Sequence, residues 1–144
     1  MSLLNIMTRQ VTTIGMDETL ETLQHIFSRN KFHHVLVVDG TQLVGVVSDR
    51  DLLKALSPNL GTAAETMRDL ATLNKKVHQV MQRELRTLPP SAGIYDAVRL
   101  FNRERVSCIP IVDASRKPVG ILSWRDIMRA LEQQQQRKQQ AASG

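Results

Sequence analysis

Two short runs are almost wholly apolar and largely β-branched: Val35-Leu36-Val37-Val38 and Ile109-Pro110-Ile111-Val112. Continuous runs of this kind predict strands buried on both faces. Pro110 places its strand at an edge, because proline cannot donate to a ladder. Each run follows a segment with helical spacing. Leu20, Leu23 and Phe27 share one face, as do Ile94, Ala97, Val98 and Phe101. Asp17 and Ser91 are the expected helix caps. A short extended stretch precedes each helix, Val11 to Ile14 and Leu85 to Leu88. After each apolar run a turn, Asp39-Gly40 or Asp113-Ala114, leads to a second strand, Leu43 to Val47 or Val119 to Leu122. A closing helix then begins at Ser48 or Ser123. The grammar is β-α-β-β-α, stated twice.

The two statements are copies. With a shift of 74, Met7, Arg9, Thr13, Phe27, Arg29 and Asp39 fall on Met81, Arg83, Thr87, Phe101, Arg103 and Asp113. One inserted residue near Lys117 makes the shift 75. Val44, Gly45, Ser48, Arg50, Asp51, Ala55 and Leu56 then fall on Val119, Gly120, Ser123, Arg125, Asp126, Ala130 and Leu131. The expected organisation is a first repeat over 1–57, a helical linker over 58–79, a second repeat over 80–131 and a polar, disordered tail over 132–144. In the linker Pro58-Asn59-Leu60-Gly61 breaks the chain, and Thr62-Ala63-Ala64-Glu65 reads as a capping box opening a helix through about Asn74. The tail (EQQQQRKQQAASG) has nothing to bury. One repeat is too small to cover its own sheet, so the copies are expected to pack together.

Composition narrows the function. Of 144 residues 42% are apolar and 23% charged, as in ordinary globular chains. No apolar run approaches a membrane span and no signal-peptide pattern opens the chain, so no membrane partner is expected and the expected compartment is cytoplasmic. A lone cysteine, Cys108, suits a reducing compartment. It has no neighbouring base and reads as packed core rather than a nucleophile. The formal charge of +5 favours an anionic ligand. Aromatics at 3% argue against a stacking platform for nucleic acid. No GxSxG, Walker A, HExxH or GxGxxG string occurs, and His33-His34 find no third metal ligand, so neither an enzyme nor a metal site is expected. Met7, Met67, Met81 and Met128 read as core fillers, and Trp124 as a packing or dimer contact.

Ser48-x-x-Asp51 and Ser123-x-x-Asp126 are the leading candidate groups. A strand that delivers serine to a helix N-terminus offers free N–H groups and a positive dipole end to phosphate, and the acid can hold two ribose hydroxyls. The same pattern also serves simply to start a helix. Both readings stand at this point.

The repeated string G-h-h-S-x-R-D, standing as GVVSDRD and GILSWRD, resembles the signature end of a CBS domain. IMT near the start, DETLETL, and VSCIPIVD in the second copy are further matches. About 120 of the 144 residues resemble a tandem CBS pair, or Bateman module. Small stand-alone pairs and the modules appended to inosine monophosphate dehydrogenases, kinases and channels share that plan. The resemblance implies an α/β fold of two β-α-β-β-α repeats packed as a pseudo-twofold pair, assembling as a homodimer and signalling to an effector protein. It implies a regulatory adenosine nucleotide, AMP, ADP or ATP first and S-adenosylmethionine next. By the same resemblance, Thr8, Val11, Thr12 and Thr13 stand where adenine is held, with Gln82, Leu85, Arg86 and Thr87 matching them in the second copy. His33 and His34 stand where a basic pair touches phosphate, with Ser107-Cys108 at these positions in copy two. Arg50 and Arg125 could steer a phosphate or lie in solvent. The expected pairing sets Thr8, Thr12 and His33/His34 with Ser123 and Asp126, and Thr87 with Ser48 and Asp51. The alternatives are a ligand-free interaction scaffold and, less favoured, a nucleic-acid binder.

Overall fold

A computed structural model describes residues 1–143. The chain divides into two compact units. The central unit is Thr12–Leu85; the flanking unit joins Met1–Val11 to the chain from Arg86 onward. The opening residues of the first copy thus belong with the second copy's strands, and residues 80–85 of the second copy belong with the first's.

In the central unit β1 (Thr13–Gly15), β2 (His34–Asp39) and β3 (Gln42–Ser48) form one sheet in that order, β1 parallel and β3 antiparallel to β2. Gly40 has φ +63° in the β2–β3 turn, which only glycine adopts without strain. Helices α1 (Leu20–Arg29), α2 (Asp49–Ala55) and α3 (Met67–Ala71) complete the unit, with 3-10 turns at Thr72–Asn74 and Val77–Gln79. Leu20, Leu23, Val35, Val37, Val47 and Val77 are fully buried at the centre of its core. Each such side chain contributes about 1.5–3 kcal/mol through removal from water.

The flanking unit contains α4 (Ile94–Arg103), the antiparallel pair β4 (Cys108–Val112) and β5 (Pro118–Ser123), and α5 (Trp124–Ser143). Leu3, in a 3-10 turn over Leu3–Asn5, and Met7 enter its core beside Ala97, Ile109, Ile111 and Leu122. Here the expected strand over Leu85 to Leu88 reduces to a single bridge, Leu88 to Ile111. Pro110 gives the reason. Its counterpart Leu36 donates its N–H to the Thr12 carbonyl at 3.1 Å, and proline has no N–H to give. Leu88 N–H instead donates to the Pro110 carbonyl at 3.3 Å.

Helix starts also differ from expectation. Thr19, not Asp17, caps α1, accepting from Thr22 N–H. At α4 the cap residue is Gly93 rather than Ser91, and the Asp96 carboxylate takes its N–H at 2.9 Å. In the linker the capping box is Thr66-x-x-Asp69, one turn beyond the expected Thr62, and Glu65 folds back to accept Gly61 N–H. Ser57 fixes that choice, since its hydroxyl donates to Asp69 Oδ1 at 2.6 Å. Met7 and Met81 are buried fillers, whereas Met67 and Met128 are exposed. Trp124 lies against Phe101, ring centroids 5.2 Å apart. Where a disordered tail is expected, α5 continues to Ser143. Ala, Gln, Arg and Lys are good helix formers, so a helix nucleated by Ile127 and Ala130 in the core extends without further burial.

Candidate functional site

Each repeat ends its last strand at a serine that starts a helix. In the central unit Ser48 N–H donates to Asp51 Oδ2 at 2.9 Å, and Asp51 N–H donates back to Ser48 Oγ at 3.0 Å. In the flanking unit Ser123 N–H donates to Asp126 Oδ2 at 2.9 Å, and Asp126 N–H to Ser123 Oγ at 3.4 Å. Both Ser-x-x-Asp groups are therefore capping boxes. In each, Oδ2 does the capping.

The segment beside each box is the start of a repeat. Thr8 exchanges two backbone hydrogen bonds with Ile121, both 2.9 Å, and its hydroxyl donates to Asp126 Oδ1 at 3.1 Å. Gln82, its counterpart, exchanges backbone bonds of 2.8 and 3.1 Å with Val46. The Gln82 amide reaches Asp51 at 3.3 Å, on Oδ2. A methionine anchors each segment on a glycine. Met81 Sδ occupies the space a Cβ on Gly45 would need, and Met7 does the same over Gly120. Glycine stands here because the thioether leaves no room for a side chain.

His33 and His34 flank the first box. His33 is exposed, and its Nδ1 lies 2.8 Å from Asp49 Oδ2. That bond, together with backbone donation and the charge of the nearby histidines, holds the Asp49 carboxyl below the usual aspartate range. His34 is half-buried; burial pushes its imidazole below 6.5, helped by His33 and opposed by Asp49 and Asp51. The first helix start thus carries Asp49 where the second has Trp124. Arg50 and Arg125 are exposed. Thr12 and Val11 are half-buried on opposite sides of the unit boundary, and the Thr12 carbonyl is committed to Leu36. Thr87 lines a cavity of about 430 Å³ with Leu88, Pro89, Pro90, Ser91, Val112, Asp113 and Ala114. Those strand ends lie away from Ser123. Cys108 is buried, and burial raises its thiol to about 12, which leaves it protonated and unreactive at neutral pH.

The structure brings Thr8 to Ser123 and Asp126, and His33 and His34 to the region of Ser48 and Asp51. Two contributors escaped the sequence reading. Arg129 approaches Asp126 Oδ1 at 3.7 Å, a contact that i,i+3 spacing on one helix could have signalled. Asp49 engages His33, which no linear pattern announces. Among the described residues no cluster of His, Cys, Asp or Glu could hold a metal, and no helix is long and apolar enough to cross a membrane.

Two stretches of the chain, 4–58 and 77–133, match the CBS domain. The chain belongs to the CBS-domain family. As a CBS pair it is 30% identical over 123 residues to an uncharacterized protein of Methanocaldococcus jannaschii, a match covering 85% of this chain and 37% of that protein. The chain therefore spans well under half of that relative. CBSX2 of Arabidopsis thaliana, solved in complex with AMP, superposes with a TM-score of 0.76 at 26% identity, covering 93% of this chain and 98% of that one. The CBS pair of the protein MJ0100, solved with 5-methylthioadenosine and S-adenosyl-L-methionine, gives 0.73 at 22% identity over 93% and 98% of the two chains. These likenesses fix the CBS-pair fold, a mixed α/β architecture with two small sheets.

Proposed function

We propose that this CBS pair is a non-enzymatic regulatory module that binds an adenosine derivative and passes its occupancy to an effector protein. The observation that carries the reading is the recurrence of Ser-x-x-Asp at the head of a helix, each time behind a glycine-containing strand. Such a helix head offers N–H groups to an anion and a carboxylate to ribose hydroxyls. AMP in CBSX2, and S-adenosylmethionine and methylthioadenosine in the MJ0100 pair, support the choice of adenosine. Leu53 and Met128 occupy equivalent places in the two copies and are 71% and 57% exposed. We extend the proposal to a homodimer that covers them, working in the cytoplasm, where an unpaired Cys108 is at home.

Thermal melts with AMP, ADP, ATP and S-adenosylmethionine, with GMP as control, test the reading. A ligand at 100 times its Kd stabilises the fold by about 2.7 kcal/mol. An adenosine-selective rise in Tm is expected. Equal response to GMP, or no response to any, overturns the proposal.

A further inference from the structure

The two helix starts carry matching bases and unequal acids. Arg50 and Lys54 of α2 stand where α5 has Arg125 and Arg129, and all four are exposed. Asp51 stands where α5 has Asp126. The first helical position differs, with Asp49 in one copy and Trp124 in the other. Trp124 lies against Phe101 and brings no charge. Asp49 does bring one. Its Oδ2 sits 2.8 Å from His33 Nδ1, and that bond helps hold its carboxyl below the usual aspartate range, so it is ionised at neutral pH. The neighbouring histidines offset little of this charge. Burial holds the His34 imidazole below 6.5, and the exposed His33 points its Nδ1 at Asp49 itself. One carboxylate is therefore the charge difference between the two helix starts. It lies in the same helical turn as Asp51, well inside the roughly 10 Å over which charges interact at 0.1 M salt.

We infer that Asp49 makes the pair sort its ligands by charge: the first box favours the adenosine derivative with less negative charge, and the second, which lacks that carboxylate, favours the more phosphorylated one. Asp49 need not touch the ligand to do this, since like charges repel through space. The inference rests on the adenosine-binding reading and adds to it the class of derivative that each copy prefers.

Amide NMR titrations of the full chain test it box by box. Shifts of the Asp49, Arg50 and Asp51 amides report the first box, and those of Trp124, Arg125 and Asp126 the second. The probes are adenosine and AMP, which differ by one phosphate. At pH 8 and low salt, the ratio of the AMP Kd to the adenosine Kd should be at least about fivefold higher at the first box than at the second. Asp49→Asn keeps the shape and removes the charge, and should bring the two ratios within about twofold of each other. Raising salt to 1 M, where the screening length is about 3 Å, should narrow the gap in the same way, which a merely structural role for Asp49 would not do. Equal ratios in the parent chain, a gap that survives Asp49→Asn, or one box silent to both probes while the other responds overturns the inference and leaves the adenosine reading standing. Silence at both boxes overturns the adenosine reading, and the sorting falls with it.

Discussion

Burial holds the His34 imidazole below its ordinary 6.5, His33 adds to that, and Asp49 and Asp51 pull the other way. The unfolded chain therefore binds a proton near pH 6.5 that the folded chain resists. Stability from this group is present above pH 6.5 and is lost as pH falls below it. Asp49, lowered from 3.8 mainly by its bond to His33, acts in the same direction at more acid pH, its contribution failing as pH drops below 3.8. Denaturant melts should show a falling midpoint below pH 6.5, and His34→Gln should flatten that limb. A midpoint rising on acidification would contradict this. Cys108, with its thiol near 12, should react with a thiol reagent only at the rate of global opening; immediate labelling would contradict its burial. At this scale Ser48, Asp51, Ser123 and Asp126 were legible because repetition marked them. The side chain that meets each carboxylate was not, since threonine or glutamine arrives from far along the chain.

Helices and strands announced themselves by periodicity, while their ends answered to tertiary neighbours. Thr66 wins the cap of α3 over Thr62 because Ser57, twelve residues before Asp69, grips that carboxylate. The strand before α4 fails because Pro110 lacks one N–H. Two predictions belong here. Gly45→Ala should cost about 1–3 kcal/mol by overpacking, since the new methyl meets Met81 Sδ at 2.5 Å and the rigid Gln82 carbonyl at 3.2 Å. A neutral variant in denaturant melts would mean the segment is not seated as described. Removing residues 133–144 should lower helicity but change stability by less than about 0.5 kcal/mol, because α5 buries nothing beyond Ala130. A large loss would show that the tail contacts something.

Across the whole chain, internal repetition marked two copies of a β-α-β-β-α plan, and the strings GVVSDRD and GILSWRD carried the resemblance to CBS domains. The division into units was less legible. Residues 1–57 read as one copy, yet Met7 and Thr8 pack on β5 while Met81 and Gln82 pack on β3. The opening of each copy thus packs against the other copy's helix start, and each capping box sits beside a segment distant in sequence. Divergence at Thr8 and Gln82 makes the two boxes unequal: a threonine hydroxyl meets Asp126 and a glutamine amide meets Asp51. Calorimetry tests the adenosine-binding reading most directly. Titration with the tightest adenosine ligand should show saturable binding, weakened at least about tenfold by Asp51→Asn or by Asp126→Asn. No saturable adenosine binding, or binding that neither substitution weakens, would contradict it.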